Sequence, residues 1–319
     1  MDLIREGIRR RCGLSGAAAD TLMASWAAGS QDNYDSKWKI FSRWCSESGR
    51  DPLLPEVATL LAFLQSKFED SLQHSTIRGY ATAIGLVWRH WSGKEIDSDD
   101  LVSRFLSGVA KSRPAAPKYE EFPDLDPLLD YVSRLDSSTR RVDARCKAIV
   151  LLKIVTMARA ADMARWLADS IEILDTGELR ITGRKTKNVS DRQTLFTVRP
   201  LPSDPALCPV KAFKDYWALL GDKSTSEFVW RGVTSPFGAI KADTISKIVR
   251  DAMSAAGIDI SKYQAHALRG ASASRAVASG LPFDTVREAG GWRSTRVFYE
   301  FYLRSSVHHC DLTAALLGD

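Results

Sequence analysis

Residues 266–304 read HALRGASASRAVASGLPFDTVREAGGWRSTRVFYEFYLR. His266 and Arg269 stand three apart, so one helical turn points both side chains the same way. An imidazole exchanges protons near neutral pH, while a guanidinium stays charged and forks onto phosphate or carboxylate oxygens. Gly290 and Gly291 break the chain before Trp292, whose indole N–H is a donor in need of an acceptor. An aromatic helix follows, with Tyr299 and Tyr302. Taken singly, each feature has an ordinary structural reading. His-x-x-Arg is a common spacing, and tryptophans and tyrosines in helices mostly pack.

Upstream, the apolar segment KAIVLLKIVTMA (147–158) leads into Arg159. An arginine after a buried helix is costly unless it is paired or faces a cleft. Asp162, three residues on, shares its helical face and can hold the guanidinium. Next, IEILDTG, ELRITGRKT and QTLFTVRPL alternate apolar and polar residues with turn residues between them. That pattern predicts a three-stranded antiparallel meander. The hairpin ELRITGRKTKNVSDRQ gathers Arg184, Lys185, Lys187 and Arg192 at a strand turn, a basic concentration suited to phosphate contact.

The flanking regions predict helices, on the N-terminal side throughout residues 21–113. Trp38, Phe41, Trp44 and Cys45 recur at helical spacing. Pro55 opens VATLLAFLQSKFED, Ser75 and Thr76 are N-cap candidates for the next helix, and DSDDLVSRFLSGVAKS begins with the acidic residues a helix dipole favours. Helices resume at CPVKAFKDYWALL and DTISKIVRDAMSAAGI. The fold class is therefore mainly α with a small antiparallel sheet (α+β). SRPAAPKYEEFPDLDP, with four prolines, separates the two regions. The boundaries read as 1–113 for a helical bundle, 114–123 for a linker and 124–319 for a second domain.

A chain of 319 residues has room for two domains, and 45% hydrophobic with 26% charged residues fits a globular protein. A net charge of +5 permits nucleic-acid binding without demanding it. Cys12, Cys45, Cys146, Cys208 and Cys310 are scattered without CxxC spacing, which disfavours a disulfide framework or a zinc site. The pair His308-His309 with Cys310 reads as tail chemistry, so no metal is expected. No apolar run reaches the ~18 residues of a membrane span. Gly13, Ser15 and Asp20 interrupt any signal-peptide core, and Asp2 and Glu6 disfavour a transit peptide.

In order along the chain, Arg-x-x-Asp, a hairpin lysine, His-x-x-Arg, Gly-Gly-Trp and a final tyrosine resemble the tyrosine recombinase (phage integrase) family. Arg159 matches its first arginine and Asp162 the acidic position after it. Lys187 matches the β-hairpin lysine, with Lys185 the nearby alternative. His266 and Arg269 match the His-x-x-Arg motif. Trp292 falls where most members carry His and some carry Trp. Tyr302 matches the nucleophile. The step from Trp292 to Tyr302 is one residue longer than usual, and Tyr299, the alternative, is two short. SWAAGSQDNYDSKWKIFSRWCSESGRDP is similar to the first helix of a core-binding domain, and LCPVKAFKDYW to the segment after the family's sheet. Both have the character of recombinases from cryptons and DIRS-like elements.

The resemblance implies a site-specific recombinase that cleaves and rejoins double-stranded DNA through a 3′-phosphotyrosine, without ATP or any cofactor. Tyr302 would attack. His266 would assist its deprotonation, Arg159 and Arg269 would neutralise phosphate charge, Lys187 would be the general acid, and Trp292 would donate its N–H. Arg184, Lys185 and Arg192 would contact DNA. The segment VHHCDLTAALLGD would dock on a neighbouring subunit of a tetramer on two DNA sites, or pack in cis. The site of action would be the nucleus of a eukaryotic host, otherwise the cytoplasm or nucleoid. Two alternatives remain open: a catalytically silent, domesticated DNA-binding protein, and an enzyme like the type IB topoisomerases.

Overall fold

A computed structural model describes residues 1–114, 118–182, 195–220 and 226–303. The chain divides into two compact units, Met1–Ala116 and Pro117–Asp319. The division falls inside the proline-rich stretch. Among the described residues no helix is long and apolar enough to cross a membrane.

The first unit is helical: α1 (Asp2–Cys12), α2 (Gly16–Met23), α3 (Ala28–Glu47), α4 (Val57–Glu69), α5 (His74–Ser92) and α6 (Asp100–Ser112). Phe41 and Cys45 of α3 are fully buried with Leu60, Phe63 and Leu64 of α4 and Ile77, Ile84 and Trp88 of α5. The Phe41 ring meets Phe63 and Trp88 edge-on at 5.1 and 5.6 Å between centroids. Trp88 Nε1 donates to the Pro52 carbonyl at 2.8 Å, so its polar end is satisfied. Asp99 caps α6 by accepting from the Leu101 N–H at 2.8 Å.

Two local expectations are corrected. α5 starts at His74 with Gln73 as its N-cap, so Ser75 and Thr76 lie inside its first turn. Helical structure also begins well before residue 21. α1 and α2 bury Ile4, Ile8, Ala19 and Met23 with Val87. Gly7 lets α1 lie against the backbone of His90 and Trp91, where a side chain would collide. Tertiary contact of this kind stabilises short helices that their own propensity leaves marginal.

The second unit contains α7 (Asp126–Ser133), α8 (Arg141–Thr156), α9 (Ala160–Met163), β1 (Ile171–Ile173), β2 (Leu179–Thr182), β3 (Leu195–Val198), α10 (Pro209–Leu219), α11 (Ala242–Ala255), α12 (Ala267–Ala278), α13 (Phe283–Ala289) and α14 (Thr295–Tyr302). The strands form one antiparallel sheet in the order β1-β2-β3, with Ile171 opposite Ile181 and Ile181 opposite Phe196. The meander predicted by alternation is present. α8 is buried almost all round, with Ala144, Ala148, Ile149, Val150, Leu151 and Leu152 in the core. A helix apolar on nearly every side belongs in the interior of its domain. The second half of the proline-rich stretch joins this core. Tyr119 is buried beside Phe122 and Tyr263, and Phe122 lies over Gly270, where a side chain would collide with it.

Candidate active site

α8 ends at Thr156, and Met157 then adopts a left-handed conformation at φ 51° and ψ 26°. This turns the chain sharply, so Arg159 becomes the extended N-cap of α9 rather than a continuation of the buried helix. Its guanidinium thereby reaches the surface and escapes the cost of burial. The Arg159 side chain is 36% exposed and pairs with Asp162 at 3.5 Å. Asp162 also binds Arg165 at 2.7 Å, so one carboxylate holds two guanidinium groups.

α12 brings in the second pair. His266 is its N-cap, with Arg269 one turn on. Arg269 is 1% exposed. Its Nη1 donates to the Met157 carbonyl, and its Nη2 to that of Gly290 at 2.6 Å. The guanidinium therefore ties the turn after α8 to the break after α13. Trp292 covers it, with the Arg269 Cζ 3.9 Å from the centre of the indole ring.

Gly290 closes α13 and Gly291 follows at φ 69°, a conformation glycine adopts without strain. The Trp292 ring lies where a Cβ on Gly290 would be, so the first glycine is required by close approach. Trp292 then packs on Phe298 and Tyr302, with centroids 4.6 and 5.0 Å away. Ser294 caps α14 by accepting from the Val297 N–H at 3.2 Å. α14 thus starts at a fixed register and carries Tyr302 to His266. The Tyr302 hydroxyl lies 2.9 Å from His266 Nε2. Tyr299 is 54% exposed and packs against Phe283 instead.

Positive charge dominates this cluster. The open edge of His266 meets solvent, but packing around the ring pushes its pKa down to about 4, with help from the charges of Arg269, Lys153, Arg159 and Lys118. The imidazole is therefore neutral at pH 7, and its Nε2 can accept the Tyr302 proton. Burial, then the charge of Arg159, lowers Arg269 to about 9. Two buried donors, Arg269 Nε and Trp292 Nε1, have no hydrogen-bond partner among the described residues. Such donors are rare and call for an acceptor.

The sequence matches the phage integrase family over residues 124–309. The chain belongs to the phage integrase family. No curated protein matches it. Among solved structures it is similar to XerH site-specific recombinase bound to palindromic difH substrate in a post-cleavage complex, at 14% identity and TM-score 0.65, covering 99% of this chain and 95% of that one. It is similar to the Tn1549 transposon integrase in complex with transposon right end DNA, at 12% identity and TM-score 0.59, covering 100% and 99%. It is also similar to a lambda integrase tetramer bound to a Holliday junction, at 16% identity and TM-score 0.56, covering 88% and 74%. At these identities the likeness is one of fold, and that fold is the α+β tyrosine recombinase fold.

Within this integrase fold, Arg159, Asp162, His266, Arg269, Trp292 and Tyr302 converge on one region of the second unit. Lys187, its alternative Lys185, and Arg184 and Arg192 lie outside the described residues, as do the tail from 304 onward and the His308-His309-Cys310 group. Lys153 also belongs to this cluster, although no motif in the sequence assigns it there. The available signal was a lysine set inside the apolar run AIVLLKIVTMA, where helical periodicity demands an apolar side chain.

Proposed function

We propose that this chain is a site-specific DNA recombinase whose nucleophile is Tyr302. Family membership supports an enzyme that cuts and rejoins DNA. The observation that carries the assignment is the 2.9 Å contact of the Tyr302 hydroxyl with His266 Nε2. A phenol is a weak nucleophile at neutral pH because it holds its proton, and a hydrogen-bonded neutral imidazole is the base that removes it.

In the proposed reaction the Tyr302 oxygen attacks a DNA phosphorus. Its proton passes to His266 Nε2. The bond to the 5′-oxygen breaks, leaving a 3′-phosphotyrosine and a free 5′-hydroxyl. Arg159, the exposed arginine, contacts the non-bridging oxygens, and the Arg269 charge lies behind them. Fixed positive groups aimed at charge developing in the transition state are commonly the largest catalytic contribution. Trp292 Nε1 and Arg269 Nε are the unpaired donors that a phosphate oxygen would satisfy. Lys187 is assigned as the acid for the 5′-oxygen on the family resemblance. Rejoining runs the same steps in reverse, so the bond energy is kept in the phosphotyrosine.

The first unit is proposed as the core-binding domain on the same duplex, with the proline-rich stretch as the connection. Self-association as a tetramer on two DNA sites is supported by the shared fold with the lambda integrase tetramer. The fold shared with a transposon integrase supports a mobile-element setting.

The test uses the intact chain and a nicked duplex whose sequence has been enriched from a random pool by repeated binding selection. Cleavage near the nick releases a short strand and traps the protein on DNA. A covalent adduct stable to denaturation is the result predicted. Tight binding with no adduct at any pH or salt would favour a silent DNA-binding protein instead.

A further inference from the structure

Lys153 lies near the end of α8 and is 2% exposed. Its ammonium donates to the Ala158 carbonyl at 2.9 Å. In the next peptide upstream, the Met157 carbonyl accepts from Arg269. Two cations from two helices therefore hold successive carbonyls of the turn that ends in Arg159. The same turn is tied from inside as well. Thr156 Oγ1 donates to the Leu152 carbonyl at 2.6 Å and accepts from the Ala158 N–H at 3.3 Å.

We propose that Lys153 is a positioning residue for Arg159, acting through the Ala158 carbonyl to fix the turn from which that guanidinium is aimed. The idea rests on the strand-transfer reading above. A side chain needed only to fill space at this place would be apolar, because burying an ammonium beside Arg269 is unfavourable twice over, by desolvation and by like charge. Both effects are visible: burial, then the Arg269 charge, lowers the Lys153 pKa to about 8, while Asp162 opposes them. The arrangement is tolerable because the ammonium has a carbonyl to bind, and that carbonyl belongs to the residue before Arg159.

A second buried lysine on the same helix supplies the control. Lys147 is 5% exposed and donates to the Ser133 and Leu135 carbonyls at 3.1 and 3.4 Å. It ties the loop after α7 rather than the turn before Arg159. Loss of either lysine should loosen the fold to a similar degree, but only loss of Lys153 should reach the chemistry.

The experiment measures single-turnover adduct formation at saturating DNA, and separately the DNA affinity, on the binding-selected nicked duplex. Lys153→Met should slow adduct formation about 10²-fold, the scale of a misplacement of roughly 1 Å at a reacting centre, with affinity within about twofold. Lys153→Gln keeps a donor and should recover about tenfold of that loss; it is also the variant to use if the methionine form does not fold. In an Arg159→Ala background, Lys153→Met should cost less than about threefold more, since the residue it serves is gone. Lys147→Met should leave the adduct rate within about threefold of the unmodified chain. An unchanged rate in Lys153→Met would overturn the proposal. So would an equal loss in the Arg159→Ala background, or an equal loss in Lys147→Met. Failure of the unmodified chain to form any adduct would overturn the strand-transfer reading itself, and this inference with it.

Discussion

The Trp292 ring lies face-on over Arg269, its centre 3.9 Å from the guanidinium carbon. Cation–π contact of this kind is strongest when desolvated, as here, where Arg269 is 1% and Trp292 5% exposed. The face of Trp292 thus covers a buried cation, while its N–H, itself buried, has no hydrogen-bond partner among the described residues; in the proposed reaction that N–H is given to a phosphate oxygen. Trp292→Phe keeps an aromatic face and loses the N–H. It should remain within about 1.5 kcal/mol of the parent in urea unfolding, yet form adduct roughly tenfold more slowly. Trp292→Ala leaves a cavity over Arg269 and should lose about 3–5 kcal/mol of stability. Equal stability losses in the two variants would contradict this division of roles.

Gly290 tests the same contact from the other side. Any Cβ there overlaps the Trp292 ring, and that ring is held by Phe298 and Tyr302. Gly290→Ala should cost about 1–3 kcal/mol through overpacking and change the near-ultraviolet circular dichroism of the tryptophan. Adduct formation should fall with it, because Tyr302 rests on the displaced ring. An unaltered spectrum with full activity would show that the close approach does not matter.

The pH dependence follows from the sign of the His266 shift. Its pKa is pushed down to about 4, so the neutral, proton-accepting form persists well below pH 7. Adduct formation at saturating DNA should therefore be level from about pH 8 to about pH 6, with its acid limb below the ordinary histidine range near ~6.5. Arg159→Ala removes one of the cations that disfavour the imidazolium and should move that limb upward. A limb centred near ~6.5 that stays in place in Arg159→Ala would mean that the surrounding cations do not lower the His266 pKa in this way.

Binding should be dominated by phosphate contacts. Affinity for the selected duplex should fall linearly with the logarithm of salt concentration, and Arg159→Ala should reduce the magnitude of that slope by about 1. Arg159 is singled out because it is the exposed arginine of the pair, whereas the two terminal nitrogens of Arg269 are bound to carbonyls. A slope unaffected by Arg159→Ala, but reduced by Arg269→Ala, would reverse that assignment.

Much of the fold was legible because its signals are local. Alternation in IEILDTG, ELRIT and LFTV is enough to predict three strands, and those strands pair in sequence order. The His266–Arg269 spacing needs only one helical turn. By contrast, α1 and α2 were missed because what stabilises them is distant in sequence: Ile4 and Ile8 meet Val87, and Gly7 meets the end of α5. Likewise, no pattern around Lys153 indicates that its ammonium reaches Ala158 or that Arg269 holds the neighbouring carbonyl. The family spacing already favours Tyr302 over Tyr299, but the reason one hydroxyl and not the other reaches His266 is tertiary. Both sit on α14, and only the start of that helix at Ser294 and the packing of Trp292 determine which hydroxyl meets His266.

The most direct measurement is to trap the adduct on the nicked duplex, digest it, and identify the modified peptide by mass spectrometry. The nucleotide should be linked through the hydroxyl of Tyr302, with no adduct from Tyr302→Phe and full adduct formation from Tyr299→Phe. A nucleotide on Tyr299, or an adduct that persists in Tyr302→Phe, would contradict Tyr302 as the nucleophile.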